Sequence, residues 1–289
     1  MNYEITGRTR LTALLGSPVA HSISPQMHNE AFRRLGLDYA YLAFEVRPEQ
    51  LQTAFLGLKA IGIWGFNLTM PLKCAILPYL DALTPAARLS GSVNTVYLED
   101  GRYIGHTTDG VGYMHSLLDA GYDIRGKKMT LLGAGGAATA ICVQAALDGV
   151  SVIDLFKRKN ASFIQTEQFC RQVAAETGCQ IRLFDFADAR QLKESIAENA
   201  ILTNATNVGM APDTEQSPLT DASMLHPDLI VSDIIYNPRQ TLLLRQAKAR
   251  GCRCLGGLYM LLFQGAAAFH CWTGQEMPIE PIRQLYFHP

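Results

Sequence analysis

The sequence predicts an α/β protein of two domains, one a doubly wound parallel sheet and the other a smaller α/β unit. Three observations lead there. A strand, a glycine turn and a helix follow one another over Met129–Leu147; strand and helix candidates alternate regularly after that point; and 289 residues suffice for about two domains.

The turn is the most informative stretch. Met129–Leu132 reads as a short buried strand, and the alanine-rich run to Leu147 reads as a helix. Between them, Gly133, Gly135 and Ala138 fit the pattern G-x-G-x-x-G/A. Gly133 allows a tight turn, Gly135 lets backbone approach a pyrophosphate, and Ala138 lets helix and strand pack closely. Free N–H groups and the positive end of the helix dipole would then hold phosphates. The bare pattern also describes a turn without a ligand, but the strand before it and the helix after it favour a Rossmann-type dinucleotide site. Val152–Phe156, Ile181–Phe184, Ile201–Asn204 and Leu229–Ile234 supply further strands.

The first hundred residues alternate as well. Thr12–Leu15 predicts a strand, and Ser24 is read as the N-cap of a helix that Pro25 opens and that runs to about Leu35. Strands at Tyr39–Val46 and Gly62–Leu68 flank a helix over Pro48–Ala60, and another helix is expected to follow Lys73 as far as Leu80. Asn94–Leu98 and Tyr103–His106 read as strands around the Asp100-Gly101 turn. Leu258–Thr273 is a long apolar helix with no strand of its own, so it is assigned to pack back on the first domain. The domains expected are therefore residues 1–109 completed by 257–289, and residues 110–256.

Composition narrows the function. A formal charge of −1 gives no reason to expect nucleic acid or an anionic membrane as partner, and 48% hydrophobic residues are ample for a large core. No basic, apolar leader stands at the N-terminus, and the richest apolar run, Gly256–Trp272, is broken by Gln264 and His270. The seven cysteines show neither metal-ligand spacing nor a disulfide framework. These features predict a reduced, cytoplasmic enzyme with buried thiols and no metal; a small-molecule substrate is the expected partner, with monomer and homodimer both open.

Several phrases, in order, resemble the shikimate dehydrogenase family. They are Gly16-Ser17-Pro18 with His21-Ser22-Ile23-Ser24-Pro25, Asn67-Leu68-Thr69-Met70-Pro71-Leu72-Lys73, Val93-Asn94-Thr95, Thr108-Asp109-Gly110-Val111-Gly112, Gly133-Ala134-Gly135-Gly136-Ala137, Asp233-Ile234-Ile235-Tyr236-Asn237-Pro238 and Gly257–Gly265. The texture of Phe156–Lys159 and Leu83–Ala87 resembles the quinate/shikimate branch. Three positions depart from the family's pattern: Thr107 where Asn is frequent, Gly256 where Asp is common, and Asn160 where that branch carries an acid.

The resemblance implies reversible hydride transfer between a nicotinamide and the ring carbonyl of 3-dehydroshikimate, giving shikimate, with quinate as a further substrate. Lys73 would be the acid/base and Asp109 would bind a substrate hydroxyl and orient Lys73. Ser22 and Ser24 would hold the substrate carboxylate; Thr69, Asn94 and Gln264 would meet ring hydroxyls; Tyr236 would contact substrate or wall off the nicotinamide, or else be a core aromatic. Taken alone, a loop lysine is a solvated group and Asp109 a helix cap. On the cofactor side the resemblance implies Gly133, Ala134, Gly135, Gly136, Ala137 and Gly257, with Asn204, Ala205, Thr206 and Gly209 beside the nicotinamide. A sensor that binds the same ligands without turnover is the rival reading.

Cofactor choice turns on the end of the second strand of the Rossmann unit. Asp154 lies where a ribose-binding acid is sought, but Leu155 and Phe156 continue the strand past it. Lys157, Arg158 and Lys159 stand where the strand should end, and three cations there favour a 2′-phosphate. NADP is the expected cofactor, with NAD as the alternative.

Overall fold

The structure, a computed structural model, describes residues 4–287. The outermost ends of the expected first domain, 1–3 and 288–289, lie outside the described residues. The chain divides into two compact units: one ends at Thr108 and resumes at Leu262, and the other spans Asp109–Leu261.

The first unit is built on β1 (Arg10–Gly16), α1 (Ser24–Leu35), β2 (Tyr39–Glu45), α2 (Leu51–Ala60), β3 (Gly65–Leu68), β4 (Ala82–Leu83), α3 (Pro85–Ser90), β5 (Thr95–Glu99) and β6 (Arg102–His106). Its sheet has the order β2-β1-β3-β5-β6-β4. The β1, β2 and β3 strands run parallel, whereas β5 is antiparallel to β3 and to β6. The consequence for function is geometric. Loops leaving β1, β3 and β6 and the loop entering β5 all emerge at one sheet edge. A buried cluster including Leu15, Phe55, Phe66, Leu68 and Tyr103 fills one side of this sheet.

Two local expectations need correction. Residues 73–80 form turns and a short 3-10 turn over Leu77–Tyr79, not an α-helix. The Ile76 N–H reaches the Leu72 carbonyl, but Pro78 has no N–H to continue the ladder. Ser24 is the first helical residue, not the cap: the Met27 N–H bonds to the Ile23 carbonyl at 3.0 Å, and no side chain caps α1.

The second unit comprises α4 (Asp109–Asp119), β7 (Lys128–Leu132), α5 (Gly136–Leu147), β8 (Val152–Lys157), α6 (Phe163–Thr177), β9 (Gln180–Asp185), α7 (Ala189–Glu198), β10 (Ile201–Asn204), β11 (Ile230–Asp233), α8 (Leu242–Ala249) and β12 (Arg253–Gly256). All its strands are parallel, in the order β12-β11-β10-β7-β8-β9. Chain progression thus reverses between β7 and β10, the point at which open α/β sheets bind ligands.

The last two helices are α9 (Leu258–Thr273) and α10 (Ile279–Tyr286). The division between units falls within α9, at Leu261/Leu262, instead of ahead of Gly257. Trp272 ties the far end of α9 to the first sheet: its indole N–H donates to the Val96 carbonyl at 2.9 Å, and its own carbonyl accepts from the Trp64 indole at 2.7 Å. No helix among the described residues is long and apolar enough to cross a membrane.

Candidate active site

In the first unit, the expected substrate residues collect at the edge just described. Ser22 and Ser24 lie in the segment after β1; the Ser22 hydroxyl accepts the Ser24 N–H at 3.2 Å, and Ser24 is buried. Thr69 follows β3 directly and donates its N–H to the Leu15 carbonyl at 2.9 Å. That approach needs a glycine across from it, since a Cβ on Gly16 would stand 2.2 Å from the Thr69 methyl. Lys73 is half-buried, its backbone fixed by a 2.9 Å bond from the Val93 N–H to its carbonyl.

Asn94 is the joint of this edge. Its buried amide donates to the Thr108 hydroxyl at 2.9 Å and to the Gln264 carbonyl oxygen at 3.2 Å, while its own side-chain oxygen accepts the Thr108 N–H at 2.7 Å. Three sequence-distant phrases are joined by that one side chain. Asp109 comes next in the chain, buried, as the first residue of α4 rather than a residue capping it from outside. Asn67, to which the sequence assigns no role, belongs to the same edge. It donates to the Asn94 carbonyl at 3.1 Å and to the Thr95 hydroxyl at 3.0 Å, and accepts from the Tyr41 hydroxyl at 2.8 Å. Its place at the head of the Asn67–Lys73 phrase was the available signal.

In the second unit, Gly133 adopts φ +108°, and a Cβ there would lie 2.8 Å from the Ala205 carbonyl. The turns after β7 and β10 therefore meet backbone to backbone at the reversal point. A Cβ on Gly135 would meet nothing within 4 Å, and Gly135 offers no side-chain cap to α5. The Thr139 N–H bonds to the Gly135 carbonyl, so the donors of Gly136, Ala137 and Ala138 stand at the uncapped start of the helix. Open space at Gly135, beside the first N–H groups of the helix, fits a pyrophosphate.

Asp154 is fully buried in β8, where both its oxygens hold Arg182 and one also accepts from Ser195 and Asn199. It is not available to a ribose. Lys157 ends β8 with its ammonium on Asn160 at 3.1 Å and Ser162 at 2.8 Å, while Arg158 and Lys159 are exposed in the turn that follows. Asn204 ends β10, and Ala205, Thr206 and Gly209 follow it, with Gly209 at φ +93° and a Gln216 carbonyl 2.9 Å from where its Cβ would be. Gly257 is required by packing, because a Cβ there would lie 2.0 Å from the Ile234 carbonyl. Tyr236 is 37% exposed, which removes the core-aromatic reading. Burial raises the Asp233 carboxyl above its usual range. Among the described residues, no three His, Cys, Asp or Glu side chains group as metal ligands.

Comparison with known proteins gives the chain a family. Residues 14–96 match the family described as "Shikimate dehydrogenase substrate binding domain", and residues 257–285 match "Shikimate 5'-dehydrogenase C-terminal domain". A protein of Listeria monocytogenes (serotype 4b, strain F2365) named shikimate dehydrogenase (NADP(+)) is 52% identical over 284 residues, 98% of each chain. The chain belongs to the shikimate dehydrogenase family. A relative of the same name from Streptococcus uberis is 47% identical, covering 100% of this chain and 99% of its own. Among solved structures, a shikimate 5-dehydrogenase from Listeria monocytogenes in complex with shikimate and NAD superposes with a TM-score of 0.93 at 51% identity over 99% of both chains. As a shikimate dehydrogenase family member, the chain has the α/β architecture expected of it: a Rossmann-type parallel sheet and a second α/β unit.

Proposed function

We propose that this chain catalyses the reversible reduction of 3-dehydroshikimate to shikimate with NADPH. The reading rests on one observation above all: the Asn94 amide draws Thr108 and Gln264 together at the sheet edge where Thr69 and Ser24 also emerge. A ring with several hydroxyls needs such fixed donors and acceptors, because each unmatched group would stay buried and unpaired.

The residues divide the work. Ser22 and Ser24 donate hydrogen bonds to the substrate carboxylate. Thr69, Asn94 and Gln264 bind and orient the ring hydroxyls, and Tyr236 bounds the reacting region. NADPH, when bound, supplies the hydride that arrives at the carbonyl carbon. Lys73 gives the proton to the carbonyl oxygen, and Asp109 holds the neighbouring hydroxyl and orients the Lys73 ammonium. In the reverse direction neutral Lys73 takes the hydroxyl proton back. The unit that ends at Thr108 and resumes at Leu262 is the substrate domain, and Asp109–Leu261 is the dinucleotide domain.

NADP is favoured over NAD by Arg158 and Lys159, exposed at the end of β8, while Asp154 is buried and committed to Arg182. Unpaired cysteines throughout the described residues fit a reducing cytoplasm. Initial rates on purified protein with shikimate and quinate, each with NADP and NAD, test the proposal. Shikimate with NADP is expected to give the highest kcat/KM. Tight shikimate binding without turnover by either cofactor would overturn it in favour of a sensor, and a monomer or a homodimer is to be read from light scattering.

A further inference from the structure

Residues 205–209 follow β10 without regular secondary structure, so side-chain hydrogen bonds must fix their course. Those bonds have a direction. Asp233 is fully buried at the end of β11, and among the described residues no ion pair neutralises it. A carboxylate only accepts, and this one accepts from the Ile235 N–H at 3.0 Å, the Thr241 hydroxyl at 2.8 Å and the Asn204 amide at 3.2 Å from both oxygens. Asn204 must therefore turn its NH2 group towards Asp233. Its oxygen then faces the loop, where it accepts from the Thr206 N–H at 3.0 Å and the Thr206 hydroxyl at 2.7 Å. With its proton committed, the Thr206 hydroxyl offers a lone pair to the Val208 N–H at 3.1 Å. Each link is oriented by the one before it, and the Asn204 NH2 group, so turned, also donates to the Val208 carbonyl at 3.3 Å.

We propose that Asp233 is a positioning residue for the dinucleotide: its acceptor-only character sets the polarity of the Asn204–Thr206–Val208 chain and so the shape of the loop beside the nicotinamide. This rests on the cofactor reading above. An amide at position 233 would place NH2 against the Asn204 NH2. Asn204 would relieve that by turning over, and would then set its NH2 against the Thr206 N–H.

The test compares the wild type with Asp233→Asn, Thr206→Val and the swap Asp233→Asn/Asn204→Asp, which restores donor facing acceptor from position 233 through 204 to Thr206, leaving only the Val208 carbonyl without its donor. NADPH affinity is read by fluorescence titration without substrate, and loop order by hydrogen exchange at Thr206 and Val208. Asp233→Asn is expected to weaken NADPH binding by about 10-fold or more and to speed exchange at both amides, with the KM for shikimate unmoved. Thr206→Val is expected to speed exchange at Val208. The swap is expected to recover most of the affinity and protection lost in Asp233→Asn. Unchanged NADPH affinity and exchange in Asp233→Asn, or a swap no better than that single variant, overturns the proposal while leaving the function standing. Failure of the wild type to bind NADPH overturns both. Should Asp233→Asn fail to fold, unchanged Val208 exchange in Thr206→Val overturns the chain by itself.

Discussion

Asp154 and Arg182, on neighbouring strands of the parallel sheet, meet through two hydrogen bonds of 2.5 and 2.7 Å. The carboxylate is fully buried while the arginine side chain keeps 37% of its exposure. Loss of the acid would leave Ser195 and Asn199 short of an acceptor, whereas Arg182 would return largely to water. Asp154→Leu is therefore expected to cost about 2–3 kcal/mol in urea denaturation, at the lower end for a broken buried pair. The KM for NADP should not change. A large rise in that KM at intact stability would return Asp154 to the cofactor site.

His28 gives the fold a pH dependence. Its ring is fully buried, stacks on Tyr41 at 4.5 Å, and has neither nitrogen hydrogen-bonded among the described residues. Burial lowers its pKa from 6.5 to about 3. A histidine held neutral in the fold but free to charge when unfolded costs stability as pH falls below the unfolded value, and the loss continues down to the folded one. Stability should fall by about 1.4 kcal/mol per pH unit from this group, or about 2 kcal/mol between pH 6.5 and 5. Denaturation curves at pH 7.5 and 5 should show a smaller loss in His28→Leu than in the wild type. Parallel losses in the two proteins would remove His28 as the cause.

Lys73→Ala is expected to lower kcat by at least about 100-fold with little change in shikimate affinity, as for removal of a group that works mainly in the transition state. Stopped-flow measurement of NADPH formation, paired with a binding titration, checks both halves. A variant that keeps its kcat takes Lys73 out of the mechanism.

For cofactor choice, Arg158→Ala should raise the KM for NADP about 10-fold and leave that for NAD nearly unchanged, since only the former carries the 2′-phosphate. Lys157→Ala should do less, because the Lys157 ammonium already sits on Asn160 and Ser162. Equal effects of Arg158→Ala on the two cofactors would mean the turn does not read that phosphate.

Thr107 is buried, and its hydroxyl has no hydrogen-bond partner among the described residues. Thr107→Val keeps the shape and discards the polar atom. It should be neutral or stabilise by up to about 1 kcal/mol in thermal or urea unfolding. A clear loss of stability would show that the hydroxyl is paired in solution.

How much of this could be read from the chain depends on how local each signal is. The Gly133–Ala138 turn declares itself because a tight bend and a close approach admit only small residues, and the strand and helix on either side obey local periodicity. The position of Asp154 ahead of the strand end was readable for the same reason. Other features depend on partners far away in sequence. Ser24 has the residue type of a cap, but the Ile23 carbonyl takes the bond, and the helix expected after Lys73 is stopped by Pro78 within a turn. The Asn94–Gln264 bond spans 170 positions, so only the folded chain reveals it. Asp233 sat in plain view within its phrase, yet its importance lies in which way it forces Asn204 to face.

The indole of Trp272 and its carbonyl bind Val96, Trp64 and Tyr39, all in strands or flanks made at least 170 positions earlier. During synthesis all the strands of the amino-terminal sheet precede 109–261, but Trp272, which binds them, is translated only after it. The ribosome thus begins one unit, finishes the other, and only with the closing residues returns to seal the first.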